Sequence, residues 1–319
     1  MQIAHGTRAL PALRHPAIAI GNFDGVHLGH QRLFAHARAA ADAGHGTACV
    51  LTFEPHPAKV LAPALAPHLI TTPQRKLDLM AAAGAPDGRP LIDLCVVEPF
   101  TRELAELSPE AFIEDILIGR LTARVLVVGH DFTFGKARRG DTDLLSRRGA
   151  EFGVSVEVVP PVSVGGLVAS STKVREFVLE GRMEGARVLL GRDFSLTGEV
   201  VRGAGRGRGL GIPTANLRVR EELLPHTGVY AAHAVLPDGR HQAVVNVGSN
   251  PTFVVDGNLS IEAHVLDWDG DLYGQVIELE LATRLRGEER FAGPAALLAQ
   301  IQLDIGRARE LFARGGGRE

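Results

Sequence analysis

The apolar positions of the chain change their period part-way along its length. Over residues 17–20 (AIAI), 47–53 (TACVLTF), 91–97 (LIDLCVV) and 124–129 (RVLVVG) they form near-continuous runs of strand length, and 151–160 (EFGVSVEVVP) reads as a further strand. Between them lie helical patterns. Residues 29–45 place Leu33, Phe34, Ala37 and Ala41 on one face, with Gly44 as the stop. Residues 76–84 are helical, as are 108–121, for which Ser108 is the expected cap. Apolar strands alternating with amphipathic helices predict a parallel sheet covered on both faces. In such a sheet the ligand crevice lies beyond the carboxyl ends of the strands. Three stretches fall there: GNFDGVHLGH (21–30), TFEPHP (52–57) and VGHDFTFG (128–135).

After a helical stretch over 171–191 the pattern shifts to short strands separated by Gly, Pro, Asn and Asp: 198–203, 214–219, 228–236, 241–248, 259–266 and 273–281. That spacing predicts an antiparallel barrel or sandwich. Residues 293–313 form one amphipathic helix, expected to cover an open end of the barrel. The boundary between the halves is expected near residues 181–190.

Composition narrows the picture modestly. A chain of 319 residues with 45% hydrophobic and 22% charged residues is globular, and its length suggests two domains. With 5% aromatics, the cores must be built from Val, Leu, Ile and Ala. The net charge of −3 offers no global attraction to nucleic acid or an anionic membrane. Cys49 and Cys95 sit inside apolar runs and read as small buried hydrophobes of a reducing compartment. The first residues lack the pattern of a secretion signal, and no apolar run approaches the ~20 residues a membrane span needs. A cytoplasmic protein is expected.

GNFDGVHLGH carries the most chemistry. Gly21, Gly25 and Gly29 would let an anion approach the main chain at a helix N-terminus, where unpaired N–H groups and the positive end of the dipole lie. His27 and His30, three apart, could donate into one pocket. A phosphate cradle, a turn held by structural caps, and a metal pair all remain open on spacing alone. Asp24 is ambiguous, because a carboxylate beside phosphate repels it unless it holds a turn or a nucleoside hydroxyl. In the second half, GAGRGRGLGIPTANL (203–217) lacks the Gly-Lys-Ser/Thr of a Walker loop, yet its backbone could cradle phosphate. An RNA-binding reading of its arginines is disfavoured by its shortness and the acidic net charge. If PTAN is extended, Thr214 and Asn216 face the same way as two oxygen ligands for one magnesium ion. On 259–266, Ile261, Ala263 and Val265 point inward and leave Glu262 and His264 on the other face.

In this order, GNFDGVHLGH, TFEPHP, VGHDFTFG, SSTKVR, LGIPTANL and LYG closely resemble the prokaryotic bifunctional riboflavin kinase/FAD synthetase family, from about residue 18 to the last helix. The resemblance implies an α/β nucleotidyltransferase module of Rossmann-like, HxGH type over residues 1–183. A mainly antiparallel β-barrel kinase module with a C-terminal helix would follow over 184–319. It implies two reactions: riboflavin to FMN with ATP in the barrel, and FMN to FAD with ATP, releasing pyrophosphate, in the first module.

Carried over residue by residue, His27 and His30 would contact ATP phosphates, and Gly21, Asn22, Phe23, Asp24 and Gly29 would line the nucleotide and flavin crevice. Asp131 and Phe132 would lie beside both, with Pro55 and His56 at the substrate edge. Ser170, Ser171, Thr172 and Arg175 would approach phosphate, Arg175 as a planar fork of donors. In the barrel, Gly207, Arg208, Gly209 and Gly211 would form the phosphate loop, Thr214 and Asn216 would hold Mg²⁺, and Glu262 would be the base. NVGSNPTF (246–253) resembles a second loop of that module near substrate, and Asn246, Asn250 and Thr252 could equally cap turns. Ala169 and Trp268 stand where relatives carry a larger aliphatic residue and often phenylalanine, and both are expected to alter packing only. The implied partners are ATP and flavins, with no nucleic acid and no membrane, in a monomer or weak homo-oligomer.

Overall fold

The computed structural model describes every residue except 9, 11, 86, 204–210, 249–258 and 316–319. Strands β1 (Gln2–His5), β2 (Ala17–Ile20), β3 (Ala48–Glu54), β4 (Leu94–Pro99), β5 (Val125–Gly129) and β6 (Ser155–Val159) form one sheet in the order β1-β4-β3-β2-β5-β6. All its pairings are parallel. The continuous apolar runs arise because β2 to β5 are covered on both faces: Ile18, Leu51, Val96 and Leu126 pack into one cluster, Ala19, Val50, Cys95 and Val127 into another. The edge strand β1, with an exposed and partly polar sequence, carried no such signal. The strand order reverses between β2 and β5, which opens a crevice past their carboxyl ends.

The helix Leu28–Ala43 buries Leu33, Phe34, Ala37 and Ala41, the face expected, and stops at Gly44. Residues 108–121 depart from an ordinary helix. Ser108 Oγ accepts the Ala111 N–H at 3.1 Å as a cap, but Phe112–Arg120 winds in wider π-helical turns. The buried thiols of Cys49 and Cys95 are pushed up to about 12 by burial, which makes them inert packing groups.

The chain divides into two compact units at Ser170/Ser171, ahead of the expected 183/184. The 171–191 stretch is not one helix. It forms Ser171–Leu179 and Met183–Leu190, with the Arg182 N–H turned back to the Phe177 carbonyl at 2.8 Å. These helices pack on each other, and the second packs on the barrel, so both belong to the second unit.

That barrel is closed and antiparallel. A hairpin (Ser163–Val164, Leu167–Val168), numbered β7 and β8, precedes it. Its strands are β9 (Phe194–Val201), β10 (Ala215–Val219), β11 (Gly228–Leu236), β12 (Gly239–Gly248), β13 (Ser260–Val265) and β14 (Val276–Arg286), in the order β10-β13-β12-β11-β14-β9. The alternating pattern of β9 and β13 follows from an apolar interior and a polar exterior. The terminal helix Pro294–Gly315 does not close an end of the barrel. Its Ala308, Ile305 and Phe312 pack on Val229 and Ala231 of β11 and Val244 of β12, on the outer wall. Buried Asp304 pairs there with Arg286 of β14 at 2.9 Å.

Candidate active sites

The first unit places GNFDGVHLGH directly after β2. His27 is buried and caps the helix Leu28–Ala43: its Nδ1 accepts the His30 N–H at 3.3 Å. A neutral His27 therefore carries its proton on Nε2, which makes that atom the donor. The two imidazoles stack with centroids 3.5 Å apart, and Phe23 meets His30 edge-on at 5.2 Å. Gly29 sits tightly against this packing. A Cβ there would lie 3.0 Å from His27 Cε1 and Nδ1 and 3.2 Å from the Ala169 carbonyl oxygen.

Two crevice residues take other places. Phe23, 1% exposed, is a core residue supporting His30 and Phe34 rather than a lining group. Asp24, 4% exposed, accepts the N–H groups of Ile70 (3.0 Å) and Thr71 (3.1 Å) and the Thr71 hydroxyl (3.2 Å). It holds a turn, the role that removes the conflict of a carboxylate with phosphate.

Gly21, Asn22, Asp131 and Phe132 are brought together with His56 around a cavity of about 540 Å³. Phe53, Phe100, Phe112 and Phe134 complete a largely aromatic wall that the sequence reading did not foresee. Phe132 stacks on Phe134 at 5.4 Å, while Asp131 is open to solvent. His56 also caps the short helix Pro57–Leu61, accepting the Ala58 N–H at 3.2 Å.

Lys76 was likewise missed. Its ammonium is buried and lies 3.4 Å from the Asn22 and Phe53 carbonyls and 3.3 Å from Thr52 Oγ1, tying the ends of β2 and β3. Burial lowers its pKa, while Glu54 and Asp24 act to raise it. Its only sequence signal is a lysine in the helix Pro73–Ala82, where charge ordinarily faces solvent.

Ser170 ends the first unit, while Ser171, Thr172 and Arg175 belong to the helix Ser171–Leu179 of the second.

In the second unit Glu262 lies opposite Asn216 of β10 on one side and Asn246 of β12 on the other, so the three share the outer face of the barrel. Ser260 Oγ donates to Glu262 Oε1 at 3.2 Å. Gly203 backs this row: a Cβ there would come within 2.3 Å of the Asn216 amide nitrogen. Thr214 and Gly211 border a cavity of about 410 Å³ with Trp268, Asp269, Asp271 and Tyr273. Trp268 Nε1 donates to Asp238 at 2.9 Å. Gly207, Arg208, Gly209, Asn250 and Thr252 lie outside the described residues.

The oxygen donors Thr214 and Asn216, beside a carboxylate, suit a hard cation such as Mg²⁺. A second cluster, Asp193, His233 and Glu280, brings ligand-type atoms within 4.8 Å of one another. There the guanidinium groups of Arg187 and Arg240 already pair with both carboxylates, so it is an ion-pair network.

The fold thus defines a two-unit protein, a Rossmann-like parallel α/β unit and a closed antiparallel barrel with a C-terminal helix. A family model for FAD synthetase matches residues 10–173 and one for riboflavin kinase matches 190–312. The chain belongs to the bifunctional riboflavin kinase/FMN adenylyltransferase family. Its relatives of that name include those of Pseudomonas fluorescens, 37% identical over 98% of both chains, and Escherichia coli K12, 37% identical over 92% of both. The Listeria monocytogenes relative is 36% identical over 93% of this chain and 92% of its own. A crystal structure described as a macrolide-efflux protein from Streptococcus pneumoniae covers 97% of this chain and 99% of its own, with a TM-score of 0.84 and 28% identity. Among the described residues, no helix is long and apolar enough to cross a membrane.

Proposed function

We infer that the chain carries two consecutive ATP-dependent reactions, riboflavin to FMN in the barrel and FMN to FAD in the α/β unit. The observation that carries this reading is the tandem of two family matches on one chain, each in a unit with its own cavity.

In the α/β unit an FMN phosphate oxygen attacks the α-phosphorus of ATP. The new P–O bond forms as the bond to the β-phosphate breaks, and pyrophosphate leaves. The nucleophile is already anionic, so the protein supplies position and charge neutralisation rather than a strong base. His27 Nε2, His30 and the N-terminus of the helix Leu28–Ala43 are proposed to meet the ATP phosphates. Arg175, Ser171 and Thr172 are assigned phosphate contacts on the resemblance alone. Gly21, Asn22, Asp131, Phe132 and the aromatic wall are proposed to take the flavin.

In the barrel the nucleophile is a neutral alcohol. Glu262 is proposed to accept the riboflavin 5′-hydroxyl proton as that oxygen bonds to the γ-phosphorus and ADP leaves. Asn246, in register with Glu262, is proposed to orient it or the hydroxyl. Thr214 and Asn216 would hold Mg²⁺, which supplies charge neutralisation at the phosphates when bound. We propose a cytoplasmic enzyme acting on ATP and flavins, without nucleic acid or membrane partners, as a monomer or weak homo-oligomer.

Two variants test the division of labour. Glu262→Ala should stop FMN formation while supplied FMN is still converted to FAD; His30→Ala should let FMN accumulate from riboflavin. Equal loss of both half-reactions in either variant contradicts the assignment.

A further inference from the structure

The adenylyl transfer brings together two anions, the phosphate of FMN and the phosphates of ATP, and a cation beside the former offsets their repulsion. The aromatic cavity of the first unit has a notable charge inventory. Among its lining residues, Glu106 and Asp131 are acidic, and Arg138 is the lone lysine or arginine. Glu106 is already paired with Lys136 at 2.6 Å.

Arg138 is held rather than loose. Phe134 and Gly140 exchange backbone hydrogen bonds of 3.0 and 2.9 Å, closing the loop between them, and the Lys136 N–H donates to the Leu107 carbonyl at 2.7 Å. Ala137 and Arg138 both have φ of +55°, two successive non-glycine residues in the left-handed region. Such a conformation persists where its surroundings enforce it, and clusters at binding sites. Arg138 Nε donates to Thr133 Oγ1 at 2.8 Å, which orients the guanidinium plane and leaves both Nη groups without a partner among the described residues. That free edge is a planar pair of donors suited to two oxygens of one phosphate.

We propose that Arg138 binds the phosphate of FMN at this cavity and so holds the nucleophile of the adenylyl transfer in place. This rests on the proposed adenylyltransferase reading of the α/β unit. The residue acts on the substrate's charge and takes no part in proton transfer.

The test uses the full-length protein and its Arg138→Met and Arg138→Lys variants, with rates of FAD formation measured against FMN at saturating Mg-ATP. Arg138→Met should raise KM for FMN by about ten- to a hundredfold, the loss expected for a charge-assisted phosphate contact, with KM for ATP unchanged. Arg138→Lys should recover part of the affinity, since it keeps the charge and loses the fork. Riboflavin phosphorylation by the same preparations should stay at the wild-type rate, which reports that each variant is folded. A KM for FMN within twofold of wild type in Arg138→Met overturns the proposal. So does a lysine variant no better than the methionine one, or a rise confined to KM for ATP. A wild-type protein that makes no FAD from FMN would instead overturn the reading on which the proposal rests.

Discussion

Replacing Gly29 by alanine separates function from stability in the α/β unit. The added methyl would lie 3.0 Å from two atoms of the His27 ring and 3.2 Å from the Ala169 carbonyl oxygen, so the ring must move. A shift of a few tenths of an ångström weakens the hydrogen bond from the His30 N–H and displaces the ring from its stack at 3.5 Å. Losing a side-chain cap costs about 1 kcal/mol of stability. Alanine in place of glycine within a helix returns up to about 1 kcal/mol. The two effects nearly cancel, and the melting temperature should change by no more than a few degrees. Catalysis has no such compensation. Displacing one donor from a developing phosphoryl charge removes about 3–4 kcal/mol of transition-state stabilisation, a fall of roughly 10²–10³ in rate. The assay is chromatographic measurement of FAD formed from supplied FMN and Mg-ATP, with riboflavin phosphorylation by the same protein as the internal control. Adenylyl transfer within about threefold of wild type would refute the argument that Gly29 exists to seat the His27 ring. Parallel loss of the kinase reaction would refute it equally.

The Asp304 carboxylate, 2% exposed and paired with Arg286 at 2.9 Å, ties the terminal helix to the barrel wall. Asp304→Ala leaves the mostly buried Arg286 guanidinium without its carboxylate, with the Gly287 carbonyl still accepting from it, and should cost about 3 kcal/mol, a melting shift of several degrees; a shift under about 2 °C would contradict this role. His233 has its pKa lowered, first by burial and then by Arg240, with Arg187 adding to the effect and Glu280 and Asp193 opposing it. Its Nδ1 is buried without a hydrogen-bond partner among the described residues, and its ring packs on Phe312 at 4.3 Å. The unfolded chain therefore binds more protons than the folded one, so this contribution is present above the unfolded value of about 6.5 and is lost as pH falls below it. Melting temperatures from pH 7.5 to 5 should fall less steeply in His233→Gln than in wild type, and equal slopes would exclude the effect.

The two architectures were legible because burial writes different patterns on the chain. Strands covered on both faces read as apolar runs, and barrel strands alternate, as the 194–201 and 260–265 segments do. The helical face of Leu33, Phe34, Ala37 and Ala41 was readable for the same reason. What failed was whatever depends on distant partners. Strand β1 is four residues long at an edge and takes its identity from pairing with β4. For Asp24 the sequence left a turn or a nucleoside hydroxyl open, and only Ile70 and Thr71, 46 and 47 residues away, supply the turn contacts. The aromatic cavity draws Phe53, Phe100, Phe112 and Phe134 from separate segments, each of which alone reads as core. Glu262 was recognised through family motifs, and only the strand register sets it between Asn216 and Asn246.

The most direct measurement is a time course of the purified wild-type protein with riboflavin, ATP and Mg²⁺, the flavins separated and quantified at each point. FMN should rise first and FAD should follow at its expense, with ADP released in the first step and pyrophosphate in the second. Riboflavin left unchanged, or FMN that accumulates without any FAD on prolonged incubation, would contradict the assignment of both reactions to this chain.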